Sequence, residues 1–334
     1  MSPQALLEVR ELGISFPRGG RRARVVRGAS FDVGRGEVVG LVGESGSGKS
    51  VTALAALRLV PPPGRIDGGS IRLAGEELLD QPERAMRRVR GGRIGLVFQE
   101  PMSALNPVFT VGSQIAETVR LHRDVSRREA REEARRLLEL VAIPAPESRL
   151  DDYPHQLSGG QRQRAVIAIA LAGGPELLIA DEPTTALDVT IQAQILRLLL
   201  DLRDRLGLTV LLITHDLAVV AETCDRAVVL YAGQVVETAP VARLFEAPAH
   251  PYTRGLLAAV PVLGRPAPRG RLPTIAGQVP EVGELPAGCA FHPRCPQVMD
   301  VCRVRDPETY PVAPDQAAHC FLHAPVGLAH GDAR

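Results

Sequence analysis

Gly43-Glu44-Ser45-Gly46-Ser47-Gly48-Lys49-Ser50 carries the clearest chemistry in the chain. Glycines at these positions let several backbone N–H groups converge on an anion, and G-x-x-x-x-G-K-S is the spacing of a phosphate-binding loop. Lys49 offers a compact cation for β- and γ-phosphates, and the Ser50 hydroxyl a ligand for Mg²⁺. Further on, Gln99, Asp181, Glu182 and His215 each follow or close an apolar run. Asp181 suits Mg²⁺ coordination through water. Glu182 beside it suits a general base for a water attacking the γ-phosphate. Gln99 at a strand edge could reach the metal and that water, and His215 could hydrogen-bond the γ-phosphate. Taken singly, Gln99 reads equally as an exposed polar residue and His215 as a structural histidine. Together with the loop they describe nucleotide chemistry.

The elements that must position these groups are visible in the pattern around them. Val38–Val42 is an apolar run leading into the loop, and a helix over Lys49–Val60 is expected, stopped by Pro61-Pro62-Pro63. Leu6–Leu12 and Val25–Val33 alternate like strands of an antiparallel sheet, with Phe16 between them as an aromatic that could stack on adenine or pack in the core. Ile71–Leu73, Arg93–Phe98, Leu177–Glu182 with its two closing carboxylates, and Leu208–Ile213 read as further strands, and 190–206 as a helix. Residues 108–172 show helical spacing and no strand signal, with dense Arg and Glu over 127–140, the pattern of a solvated helix face. Leu157-Ser158-Gly159-Gly160-Gln161 opens the last of these helices, with Ser158 as an N-cap.

Composition adds one pointed fact. Lys49 is the single lysine among 39 basic residues, so it stands where a wide, planar guanidinium would not enter a phosphate nest. Asn106 is likewise the single asparagine, which suggests a turn or contact made by its amide. A net charge of +1 gives no electrostatic case for nucleic acid, and a 45% hydrophobic share is ample for a core. With neither a transmembrane run nor a signal-peptide pattern, a soluble intracellular protein with reduced or metal-bound cysteines is expected.

Phosphate loop, Gln99, LSGGQ, Asp181-Glu182, Asp188 and His215 follow in the order of the ATP-binding-cassette ATPases, which the chain resembles over about residues 5–260. LSGGQRQR and DEPTTALD are its most specific stretches. The resemblance implies an α/β fold: a P-loop core with an antiparallel β subdomain and a helical subdomain at about 108–172. It implies ATP and Mg²⁺ as cofactors, and nucleotide contacts from Phe16, the loop 43–50, Gln99, Ser158, Gly159, Gly160, Gln161, Asp181, Asp188 and His215. It also implies a head-to-tail pair of ATPase subunits, identical or paralogous, in which the LSGGQ of one acts on the ATP of the other.

FQEPMSALNP at 98–107 and PAGCAFHPRCP at 286–296 are similar to the ATPase subunits of oligopeptide and dipeptide importers. That implies two membrane permease subunits, an extracytoplasmic solute-binding protein and a peripheral place on the cytoplasmic face of the inner membrane. Nickel or another solute is the alternative cargo. A DNA-repair or chromosome-organising ATPase shares the LSGGQ chemistry, yet the insertion here has no basic stripe. A translation-type protein would carry two cassettes where this chain carries one.

Residues 261–334 form a Cys-rich C-terminal extension, rich in Pro and Gly, with Cys289, Cys295, Cys302 and Cys320. Four thiolates suit an iron–sulfur cluster or tetrahedral zinc, and free thiols are the third reading. The spacing lacks the C-x₂-C pairs of common zinc sites; the resemblance favours a [4Fe–4S] cluster. His292 and Arg294 read as turn and surface residues without a role, and Cys224 as a small core residue. Replacing Cys295 by Ser is expected to loosen the tail and spare ATP binding.

Overall fold

The structure, a computed structural model, describes residues 5–99, 104–185, 187–260 and 274–325. Residues 100–103 of FQEPMSALNP, and Ala186 of DEPTTALD, lie outside the described residues. The chain divides into two compact units. One is built on Glu76–Ile213 with Val33–Val38, the other on Leu7–Asp32, Val39–Gly75 and the chain from Thr214 onward.

In the second unit, strands Ala5–Arg18 and Arg21–Gly34 are adjacent and joined through Gly19 and Gly20 at φ 56° and 77°. Positive φ at both loop positions matches the turn to the twist of the strands it joins. Ala5–Arg18 pairs antiparallel with Arg65–Leu73, Leu7 opposite Leu73 and Ile14 opposite Ile66, with a register shift after Arg10. Both long strands run well past the stretches whose alternation announced them. The phosphate-loop strand Val38–Val42 is buried throughout, as a parallel strand covered on both faces must be, and Leu41 pairs with Val228 of Arg226–Tyr231. Antiparallel to the latter runs Gln234–Pro240, then Gln316–His319 with Ala318 opposite Glu237, then Thr309–Ala313. The end of the Cys-rich tail is thus a strand pair added to this sheet. Its anchor is the Glu237 carboxylate, 1% exposed, which accepts hydrogen bonds from Ala249 N and His250 N at 2.8 Å and Gln316 Nε2 at 2.9 Å.

Helix Lys49–Ala56 ends earlier than the proline run would dictate. Arg58 takes φ 52°, Leu59 N bonds Leu54 O at 2.9 Å and Arg58 N bonds Ala55 O at 2.9 Å. This paired left-handed cap stops the helix before Pro61 is reached.

In the first unit, Ile94–Val97, Leu177–Asp181 and Thr209–Thr214 are parallel neighbours, Ile94 opposite Leu177 and Asp181 opposite Ile213. The 108–172 segment is helical as read: Val111–His122, Arg127–Leu140, Pro146–Arg149 and Gly159–Leu171. Arg127–Leu140 buries only Ala130, Ala134, Leu137 and Leu138, a single stripe, while Arg135 pairs with Glu132 and Glu139 on the solvated face. Asn106 bears out its turn assignment: its Oδ1 accepts from Val108 N at 3.2 Å, and its backbone N–H and carbonyl are both held by the Gln114 amide. Among the described residues no helix is long and apolar enough to cross a membrane.

Candidate functional site

The phosphate loop takes its shape from positions that no larger residue fits. A Cβ on Gly43 would stand 2.2 Å from the Leu230 carbonyl oxygen, and Gly46 and Gly48 have φ 80° and 99°. Gly48 caps helix Lys49–Ala56 without any side-chain bond, so the helix presents its first-turn N–H groups uncapped by a side chain. Lys49 is only 6% exposed; its Nζ donates to Gly43 O at 2.8 Å and Glu44 O at 3.0 Å. The Ser47 Oγ is buried without a hydrogen-bond partner among the described residues. A buried ammonium and a helix start left uncapped by any side chain, on one short loop, suit a polyphosphate.

Glu182 stands just past strand Leu177–Asp181, turned out of the strand at φ 44°. Its backbone N–H donates to Ile213 O at 3.0 Å, fixing that turn. One carboxylate oxygen, Oε2, accepts from Gln99 Nε2 at 3.0 Å and from Thr185 Oγ1 at 2.9 Å. Gln99 lies just beyond Val97, the last residue of its strand. Asp181 closes the neighbouring strand and is half-buried. Sequence order does not foretell the bond between Gln99 and Glu182, and Thr185 is a partner that sequence reasoning missed. The signal was a hydroxyl within one turn of Glu182, too common a feature to be noticed.

Ser158 is the N-cap expected of it. It closes a capping box on helix Gly159–Leu171, its N–H bonding Gln161 Oε1 at 2.9 Å and its Oγ accepting from Gln161 N at 3.4 Å. A Cβ on Gly160 would stand 2.8 Å from Ile191 Cγ2, and one on Gly159 3.7 Å from Leu187. Asp188 is itself an N-cap, accepting from Ile191 N at 3.0 Å at the head of helix Val189–Leu206. The LSGGQ turn and the Asp188 turn therefore pack together.

Residues 26–185 match the family described as ABC transporter, and residues 236–302 the one described as oligopeptide/dipeptide transporter, C-terminal region. A probable peptide ABC transporter ATP-binding protein of Sinorhizobium fredii is 55% identical over 95% of this chain and 94% of its own. This chain belongs to the ABC transporter ATP-binding proteins. The oligopeptide transport ATP-binding protein OppD of Mycobacterium tuberculosis is 53% identical over 96% of this chain and 52% of its own length. Among solved structures, a dimeric ATP-binding cassette in a post-hydrolysis state with ADP and Pi aligns at TM-score 0.61 and 28% identity. It covers 70% of this chain and 98% of its own. The cbiO1 cassette of Clostridium perfringens, part of an ABC transporter complex, aligns at TM-score 0.63 and 27% identity, over 73% of this chain and 91% of its own. The activity that goes with membership is ATP hydrolysis, and ATP and Mg²⁺ are its cofactors.

Elsewhere in this ABC ATPase, Phe16 is half-buried, its ring lying so close over Gly64 that a Cβ there would be 2.5 Å from it. His215 is exposed immediately after strand Thr209–Thr214, and Asp216 beside it caps helix Leu217–Thr223.

Arg294 is not the surface residue the sequence suggested. Its side chain is 5% exposed and holds the Glu44 carboxylate with both arms, Nη1 to Oε2 at 2.8 Å and Nη2 to Oε1 at 3.0 Å. Its Nε donates to Ala276 O at 3.0 Å, and the guanidinium lies 5.7 Å from the Tyr231 ring centroid. Hydrogen bonding to Glu44 raises the Arg294 pKa further above its ordinary value. The Glu44 N–H donates to Tyr252 Oη at 3.0 Å.

Cys289, Cys295, Cys302 and Cys320 line one small cavity that Phe291, Met299 and Phe321 make largely apolar. Burial pushes the Cys289 thiol up to about 12 and Cys320 up to about 11, with the other thiols adding to both. Four soft donors facing one enclosure fit a thiolate-bound group in kind. Among the described residues no three His, Cys, Asp or Glu are grouped as a preformed metal site. Cys224, read as a core thiol, is partly buried against the core, its sulfur so near Gly40 that a Cβ there would be 3.0 Å from it.

Proposed function

We propose that this ABC ATPase powers import of di- and oligopeptides through a membrane transporter. The observation that carries the peptide assignment is the joint match of residues 26–185 and 236–302 to the cassette and to the oligopeptide/dipeptide C-terminal region. In this reading residues 1–260 form the ATPase domain and 261–334 its extension, peripheral on the cytoplasmic face of the inner membrane. Two permease subunits, a second ATPase subunit and an extracytoplasmic binding protein complete the assembly.

Within it, the 43–50 loop binds the triphosphate and Lys49 neutralises its β- and γ-oxygens. Ser50, Gln99 and Asp181 would hold Mg²⁺, which lends charge stabilisation to the transferring phosphoryl group. Glu182 takes the proton of the attacking water, held in aim by Gln99 and Thr185, and His215 hydrogen-bonds the γ-phosphate. Phe16 stacks on the adenine. Ser158, Gly159, Gly160 and Gln161, with Asp188, close over the ATP of the second subunit. Closure on ATP and reopening after hydrolysis is the two-state element passed to the permeases.

Cys289, Cys295, Cys302 and Cys320 would hold a [4Fe–4S] cluster, whose bonds would supply folding free energy to the tail. Iron and acid-labile sulfide, each about four per chain and lost in Cys302→Ser, are the expected readings; zinc in their place or neither metal rejects the cluster.

The deciding experiment reconstitutes the whole transporter in vesicles and follows ATP-dependent uptake of labelled peptides and of nickel. Peptide uptake that ceases with Glu182→Gln supports the proposal. Nickel uptake alone, or co-purifying nucleic acid without transport, rejects it.

A further inference from the structure

We propose that Arg294 is a positioning and charge-compensating residue of the ATP site, through which the fold of the cysteine-bearing tail sets ATP affinity. The inference rests on the reading that the 43–50 loop binds ATP, and deepens it.

Glu44 places a carboxylate inside an anion-binding loop. Left alone, that charge repels the incoming triphosphate. Arg294 cancels it with a bidentate pair spanning 250 residues of sequence, at 2.8 and 3.0 Å. The Glu44 side chain is only 30% exposed and that of Arg294 5%, so solvent screens the pair weakly. Such a pair is a poor device for stability alone, since burying two charges offsets most of their attraction.

The backbone is held as well. Glu44 O accepts from Lys49 Nζ at 3.0 Å, and Glu44 N donates to Tyr252 Oη at 3.0 Å. Glu44 is therefore gripped by its side chain and its N–H from outside the loop, while its carbonyl faces the ammonium that meets the phosphates.

The grip comes from the tail. Arg294 ends the turn His292–Arg294 directly before Cys295, and Arg294 N bonds Phe291 O at 3.0 Å. Phe291 in turn packs edge-on against Tyr231 and Tyr252, with ring centroids 5.1 and 5.4 Å away. Moving this turn withdraws the compensating charge and shifts the Tyr252 that orients Glu44. On this proposal Cys295→Ser also raises the KM for ATP, against the sequence-based expectation that nucleotide binding is spared.

The test uses the assembled transporter and measures ATP KM and kcat, with Kd for trinitrophenyl-ATP as a readout independent of turnover. R294Q is expected to raise KM and Kd about ten-fold with kcat within about two-fold of wild type, the loss fitting one uncompensated charge beside the phosphates. Adding E44Q removes that charge, so the double variant R294Q/E44Q is expected to recover most of the loss. R294K, which keeps the charge and loses the fork, is expected to fall between wild type and R294Q. Unchanged KM in R294Q, or a double variant as impaired as R294Q, overturns the proposal; the latter is what a merely structural role gives. Should R294Q fail to fold, unchanged KM in R294K overturns it instead. The underlying reading is checked separately by wild-type turnover and its loss in Lys49→Ala. If wild type fails to hydrolyse ATP, or Lys49→Ala spares hydrolysis, that reading fails. If both behave as read and only the Arg294 series is silent, the inference alone fails.

Discussion

Gln99 and Thr185 donate to the same oxygen of Glu182, at 3.0 and 2.9 Å. Two donors on one oxygen fix the carboxylate plane, and a base held in plane is worth more than one that must be ordered at each turnover. Glu182→Gln keeps the shape and removes the base, so single-turnover hydrolysis is expected to slow by about 10²–10⁴-fold. ATP affinity should stay within about three-fold, because the variant alters an interaction made in the transition state. Undiminished turnover in rapid-quench measurements would take Glu182 out of the base role.

Lys49 is the residue for which a change of basic group is least tolerable. Its ammonium sits 2.8 Å from Gly43 O and 3.0 Å from Glu44 O, in a loop where Gly43 has no room even for a Cβ. Lys49→Arg is expected to cost on the order of 100-fold in ATP affinity, the scale of a lost charge-assisted hydrogen bond near phosphate. Equilibrium titration checks this, alongside a melting temperature that should move little. Wild-type affinity in Lys49→Arg would mean that the nest is wider than its backbone indicates.

Local chemistry was legible in the sequence and long-range chemistry was not. The phosphate loop, the helix capped by Ser158 and the carboxylates after Leu177–Ala180 each lie within a few residues, where spacing states the geometry. The helical segment was legible because its apolar stripe, Ala130 to Leu138, follows the helical period. Helix Lys49–Ala56 was misjudged in length because its end is set by the backbone of Arg58, a residue type that does not advertise φ 52°. Arg294 was missed for a compositional reason: arginine is the ordinary basic residue of this chain, so no single arginine carries a signal. Its partner Glu44 is 250 positions away. The tail, read as an appendage, pairs its strand Gln316–His319 onto Gln234–Pro240. Two residues of pairing leave no periodic trace that a sequence could show.

Ser158 serves the helix whatever it does for nucleotide, and the two roles can be separated. Ser158→Ala removes the acceptor for Gln161 N and is expected to cost about 1 kcal/mol of stability. Ser158→Asn restores an N-cap and should restore the unfolding midpoint. ATP hydrolysis by the assembled transporter should remain impaired in both, because the proposed contact to the second subunit's ATP uses the small hydroxyl. Full activity in Ser158→Asn would reduce Ser158 to a cap.

Cys224 provides a pH test away from the ATP chemistry. Its sulfur packs against Gly40 and lies 3.6 Å from Thr223 Oγ1, and burial pushes its thiol up to about 12. Ionisation is thus resisted in the folded state and easy in the unfolded one, where the ordinary value is 9.0. The sign follows: the contribution is full below pH 9 and is lost as pH rises toward 12, at up to about 1.4 kcal/mol per pH unit. Wild type should lose stability over that window more steeply than Cys224→Ala, read from urea midpoints at stepped pH. At pH 8 the thiolate fraction is lower by about 10³ than for a free cysteine, so peptide mapping should find Cys224 unlabelled by maleimide until the chain is unfolded. Rapid labelling of the native protein, or parallel pH profiles for the two proteins, would place this thiol in contact with solvent.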